Sequence, residues 1–152
     1  MRTSISRRIL SIFTALILLA TLVAASAAAR TSRSQVVQIP FDFSVSGVTL
    51  PAGKYVVERS TQSSAEGLSF RSVDKNAGAF VLTITVNSKE RQRDSRLVFH
   101  RYGDKYFFSQ FWTSGEASGR ELVKTERERT AERELAKAGT KPENVAIIVT
   151  QK

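Results

Sequence analysis

From Val37 onward the chain alternates apolar and polar side chains with a period of two. Val37, Ile39, Phe41, Phe43 and Val45 interleave with Gln38, Pro40, Asp42 and Ser44. That is the signature of a strand with one dry and one wet face. Pro40 falls on the wet parity and cannot donate to a ladder, so this strand is an edge strand or bends at the proline. Ser46-Gly47 and Pro51-Ala52-Gly53 read as turns, with a short strand from Val48 to Leu50 between them. Lys54 to Arg59 follows as a strand with Tyr55 and Val57 on one face, and Leu68 to Val73 as another with Leu68 and Phe70 inward. Asp74 to Gly78 is a hairpin turn. It returns as Ala79 to Val86, with Phe80, Leu82, Ile84 and Val86 on one face and Thr83 and Thr85 on the other.

Asn87 to Ser95 is polar and reads as an exposed loop. Arg96 to Tyr102 and Lys105 to Trp112 then form a hairpin about Gly103-Asp104. Strict alternation puts Tyr106, Phe108 and Trp112 on one face of the second arm and Phe107 and Phe111 on the other. A strand apolar on both faces has packing on each side, or an interface on one. Glu121 to Val123 is a candidate short strand. Thr125-x-x-Glu128 fits a capping box, in which the two side chains each satisfy a free amide at a helix start. The helix runs to about Ala138 and Gly139 stops it. Its apolar content is thin (Ala131, Leu135, Ala136, Ala138), so it lies on the surface. Val145 to Thr150 is a closing strand. The fold class is therefore mainly β: an antiparallel β-sandwich or partly open β-barrel with one C-terminal surface helix.

The first 29 residues have a different grammar. Arg2, Arg7 and Arg8 precede an apolar run from Ile9 to Val23, and Ala24 to Ala29 is small throughout apart from Ser26. This is the order of a secretory signal, with the cut expected after Ala27 or Ala29. The rival reading is an uncleaved inner-membrane anchor over residues 9–29, long enough to span a bilayer. The expected organisation is a signal at 1–29, a flexible lead-in at 30–35 and a single β-rich domain at 36–152. The expected location is the periplasm or the extracellular medium.

Composition narrows the chemistry. The 152 residues carry a formal charge of +9; three arginines leave with the signal, and the remaining +6 favours anionic surfaces without singling one out. The absence of cysteine excludes thiol catalysis, disulfides and thiolate metal sites. His100 is the only histidine, and Asp104 is the one acid expected near it. Two ligands make no metal site, and no serine has a nucleophile-elbow setting. No catalytic residue, metal site or cofactor is expected. The candidate binding residues are Tyr102, Tyr106, Phe107, Phe111 and Trp112 with Arg101, an aromatic and basic hairpin able to stack on bases or sugars. The competing role for these rings is the core itself.

Two segments, IPFDFSVSGVTLPAGKYVVE (39–58) and LVFHRYGDKYFFSQFW (97–112), followed by GREL (119–122), resemble a family of small exported bacterial proteins of unknown function. Ser46 stands where that family usually has a second glycine, and Lys54 where it usually has an acid. The resemblance implies an exported β domain and transfers no active-site residue. The expected function is a non-catalytic binding or structural domain of the envelope or secreted fraction. An envelope polysaccharide enzyme using paired carboxylates, and a cationic surface or nucleic-acid binder, are the alternatives. The expected partner is an envelope polymer, an anionic surface or a protein; specific nucleic acid is not expected, and the membrane is met only through the signal.

Overall fold

The computed structural model describes residues 34–60 and 66–149. The expected signal, most of the lead-in, the middle of the loop after Ser60 and the last three residues lie outside the described residues. The strands are β1 (Gln35–Ile39), β2 (Phe43–Val45), β3 (Val48–Leu50), β4 (Gly53–Ser60), β5 (Gly67–Ser72), β6 (Gly78–Leu82), β7 (Ile84–Asn87), β8 (Arg96–Tyr102), β9 (Lys105–Trp112), β10 (Ser118–Glu121) and β11 (Glu143–Ile148). The helix α1 (Glu126–Lys137) lies between β10 and β11.

They form two sheets. One has the order β1-β4-β5-β6; the other runs β11-β8-β9-β10-β7, with β2 beside the first half of β9 and β3 on β2. The described strands close no barrel. Pairing is antiparallel except at β2 and β9, where Phe43 and Ser44 run parallel to Tyr106 and Phe107. That single parallel contact corrects the expectation of a purely antiparallel fold.

Pro40 explains it. The alternating stretch from Val37 to Val45 leaves the first sheet after Ile39 and enters the second at Phe43. Both halves keep their dry parity: Val37, Ile39, Phe43 and Val45 are all buried. Asp42 holds the crossing, its Oδ1 accepting from the Ala52 amide at 2.7 Å. The turn that follows places Ser46 at φ 48° and Gly47 at φ 89°, the left-handed pair that a two-residue hairpin demands. Between the sheets Phe43 meets Tyr55 and Phe99 edge-on at 5.3 and 5.4 Å, and Phe70 meets Phe108 at 4.9 Å, the offset geometry aromatic quadrupoles favour.

The stretch Ala79 to Val86 departs from its expected reading. It is two strands, β6 ending the first sheet and β7 ending the second, with the change at Thr83. Thr83 anchors the step by donating from its amide and its hydroxyl to the Glu66 carbonyl at 2.8 and 2.9 Å. The face that enters the core is carried by Val81 (4 % exposed), while Phe80 and Leu82 are each 60 % exposed and Ile84 53 %. Alternation was legible here; which parity turned inward was not, because both parities are apolar within β6.

Strand β9 also breaks strict alternation. Val98 pairs with Gln110 and Phe99 with Phe108, so Ser109 is the extra residue of a β-bulge. The inserted residue reverses parity beyond it. Phe108 and Phe111 both join the main core, where plain alternation sets them on opposite faces. Phe107 lies in a separate small cluster with Tyr102 and Ala131.

Candidate functional site

A connected polar group centred on a histidine is built where α1 meets β8 and β9. The helix starts as its sequence dictates. Thr125 is the N-cap, and its hydroxyl accepts from the Glu128 amide at 3.3 Å. Gly139 at φ 72° follows its C-terminus, and the Gly139 amide donates to the Ala136 carbonyl at 3.0 Å. Its narrow apolar stripe, Ala131 with Leu135, sits on Tyr102 and Phe107. This second, smaller core is what fixes α1 on the sheet.

Within that contact the carboxylate of Glu128, a residue only 3 % exposed, lies 2.7 Å from His100 Nδ1 and 3.2 Å from the Tyr102 hydroxyl. The carboxylate only accepts, so Nδ1 carries the imidazole proton and the phenol donates. On the far side of the ring, Nε2 lies 3.1 Å from Ser109 Oγ; in the neutral ring it accepts from that hydroxyl. The bulge aims Ser109 at His100. Lys124 completes the rim, with Nζ 2.8 Å from Glu132 Oε1 and 6.0 Å from the centre of the Tyr102 ring. Burial, reinforced by the Glu128 charge, pushes the Tyr102 phenol up to about 12. Burial pulls the Lys124 ammonium down, but its bonds to Glu132 and Tyr102 outweigh that and raise it.

Ser109, His100 and Glu128 thus follow the order of an acyl-transfer relay. Access is missing. Ser109 is 3 % exposed, and the Leu122 amide closes over its carbonyl at 2.8 Å. The grooves beside the helix, about 380 and 230 Å³, are lined by Lys105, Glu134 and Ala131 with neighbours that include neither Ser109 nor His100. The arrangement does what a buried, satisfied polar network does: it fixes one docking geometry for α1.

Glu128 is the residue that sequence reasoning misassigned. The capping-box pattern gave its side chain to the helix start, whereas only the Thr125 half of that box forms and the carboxylate turns to the sheet. Asp104, expected beside His100, is not its partner. The signal that could have found Glu128 is its place on the same helix face as Ala131 and Leu135, three and seven positions on.

The expected binding residues are mostly interior. Tyr102 and Phe107 lie under α1, Phe111 is in the main core, and Trp112 is 6 % exposed. The Trp112 ring lies against Gly119, where a Cβ would sit 2.7 Å from it, and its Nε1 donates to Gln110 Oε1 at 3.0 Å. Tyr106 is half-buried, stacked on Phe41 at 3.8 Å. Arg101 is the outward member, over the Tyr106 ring and 3.2 Å from Glu143. No continuous aromatic face reaches solvent on this hairpin, because the bulge and the helix take its two sides into separate cores.

Charge gathers at the mouth between the sheets. Arg59 pairs with Glu116 at 2.8 Å over the Phe111 ring, and Arg120 pairs with Glu66. Burial and the neighbouring Arg59 lower the Arg120 guanidinium. Each arginine has its carboxylate, so the mouth is a neutral strut.

Among the described residues, large apolar side chains are exposed at several places, Val73, Val123 and Ile148 among them, and three fall together on β6 and β7. Phe80 and Leu82 pair with Ser69 and Gly67 on β5, and Ile84 pairs with Glu121 on β10, so the three follow one another at every second position across the step from β6 to β7. No family model, curated protein or solved structure matches the chain. Among the described residues no helix is long and apolar enough to cross a membrane.

Proposed function

We propose that this chain is an exported, non-catalytic binding or structural domain of the cell envelope or secreted fraction, and that it works through its β6–β7 edge. The observation that carries the reading is the run of Phe80 and Leu82 on β6 and Ile84 on β7, each more than half exposed, on the two strands that end the two sheets. Large contiguous apolar surface on a soluble domain marks a place where something docks. The signal-like first 29 residues, and the resemblance of 39–58 and 97–112 to small exported proteins, support the compartment. The commitment of His100 to Glu128 and Ser109 supports a structural rather than catalytic use of the one imidazole.

The test expresses all 152 residues and recovers the product from periplasm and medium. Intact mass reports whether the first 27 or 29 residues are gone. The recovered chain is then sedimented with purified cell-wall polymer and with anionic vesicles, beside the variant carrying Phe80→Lys and Leu82→Lys. Binding by the parent, at both low and high salt, that the variant loses supports the reading. Equal binding by both that vanishes with salt transfers the function to the positive charge. A chain that stays uncleaved in the cytoplasm overturns the exported role.

A further inference from the structure

Helix α1 is joined to the sheets in a way that lets it leave them. Its apolar contact is two side chains, Ala131 and Leu135, against Tyr102 and Phe107, with open grooves of about 380 and 230 Å³ beside it. The ladder pairs of β8, β9, β10 and β11 are all with other strands, so lifting the helix breaks none of them. The chain on either side is anchored separately. Leu122 packs on the main core and its amide donates to the Ser109 carbonyl at 2.8 Å; the bend follows at Val123, which is exposed. Beyond the helix, Gly139 at φ 72° and Pro142 lead into β11, which β8 holds. Two of the side-chain contacts that cross from α1 lie at the surface: Glu134 with Lys105 at 3.7 Å, and Arg127 with Thr49 at 3.4 Å. Such contacts contribute little. That leaves Glu128, buried and bonded to His100 and Tyr102, as the polar contact that holds the helix.

We propose that α1 is a flap: it undocks from the sheet as one unit, far more often than the sheets themselves open, with the Glu128 carboxylate as its latch and Tyr102 and Phe107 as the face it uncovers. Local opening is easiest where few apolar contacts are buried. The sheets share a core of fifteen buried side chains, whereas α1 rests on the short stripe of Ala131 and Leu135. The latch makes closure specific, because one carboxylate has to meet two donors on β8 at once. The closed form dominates, and the two rings are hidden in it. The flap stands apart from the β6–β7 surface of the proposed function, and neither reading needs the other.

The chain has no cysteine, so Ala131→Cys and Val57→Cys, made separately in the full chain, each place one thiol at a buried position. A thiol reagent in excess labels it only when that position opens. The expected result is labelling at 131 about a hundredfold faster than at 57 and hardly changed by low urea, because lifting a helix exposes little surface. Glu128→Ala speeds both positions by about tenfold or more, since it destabilises only the closed form from which both open. Val81→Ala, in the first sheet, speeds position 57 about tenfold and leaves 131 unchanged, since the closed and lifted forms lose that packing alike. Amide exchange of the unsubstituted chain, faster in α1 than in β8 and β9 by a similar factor, gives the same order without a thiol. Equal rates at 131 and 57, equal amide protection in α1 and β8, or a Val81→Ala that speeds both thiols alike show a single cooperative unit and overturn the flap.

Discussion

His100 on β8 and Glu128 on α1, 28 positions apart, meet at 2.7 Å beside the small apolar contact that seats the helix. A twelve-residue helix is marginal in water on its own, and α1 buries only Ala131 from its apolar stripe. Glu128→Ala leaves the His100 N–H and the Tyr102 hydroxyl without their acceptor and is expected to cost about 2–3 kcal/mol in urea unfolding. Ser109→Ala, which removes a neutral bond at the ring's other nitrogen, is expected to cost about 1 kcal/mol. A double-mutant cycle between positions 109 and 128 checks that the two effects couple through His100.

Two glycines separate hard from soft packing. At Gly119 a Cβ would lie 2.7 Å from the Trp112 ring and 3.0 Å from the Phe111 carbonyl. Trp112 is buried and the carbonyl belongs to a ladder, so neither yields. Gly119→Ala is expected to cost about 1–3 kcal/mol and to shift the tryptophan emission. At Gly67 a Cβ would lie 2.4 Å from the Phe80 ring tip, but that ring is 60 % exposed and swings away. Gly67→Ala is expected to leave stability within about 1 kcal/mol, on the favourable side because a strand glycine carries an entropic cost. Thermal melts of the two variants give the comparison.

Alkaline pH addresses the helix contact directly. The Tyr102 phenol, ordinarily 10.0, is held up to about 12 in the folded protein, first by burial and then by Glu128. Below pH 10 it is neutral whether the chain is folded or not, and its stabilisation is complete. Between 10 and 12 the unfolded chain gives up the proton first, so stability falls as pH rises through that window. Tyr55 shifts the same way through burial and Asp42. Absorbance titration should show late phenol ionisation that Tyr102→Phe partly removes, and urea midpoints should decline from pH 10 upward by less in that variant.

The sequence made the strands legible because each carries period-two patterning between turn residues with recognisable chemistry. The Pro40 bend, the hairpins at 74–78 and 103–104 and the Gly139 stop all follow from single residues. Three features were hidden. The bulge at Ser109 leaves no local mark, since its neighbours Phe108 and Gln110 suit an unbroken strand equally well. The inward choice of Val81 over Phe80 and Leu82 is made by the packing of two sheets rather than by any one strand. The carboxylate of Glu128 matched a capping motif, and its tertiary partner on β8 outcompeted the local one. The aromatic hairpin admitted both a binding face and the core, and the folded chain uses most of its rings as interior.

Hydroxyl-radical footprinting, read by mass spectrometry at low micromolar concentration, tests the central assignment of inside and outside in one measurement. The account predicts rapid oxidation of Phe80, with Phe107, Phe111 and Trp112 protected in the closed native domain. Oxidation of Trp112 and Phe107 in the native protein as fast as Phe80 would contradict it and return the binding face to the hairpin.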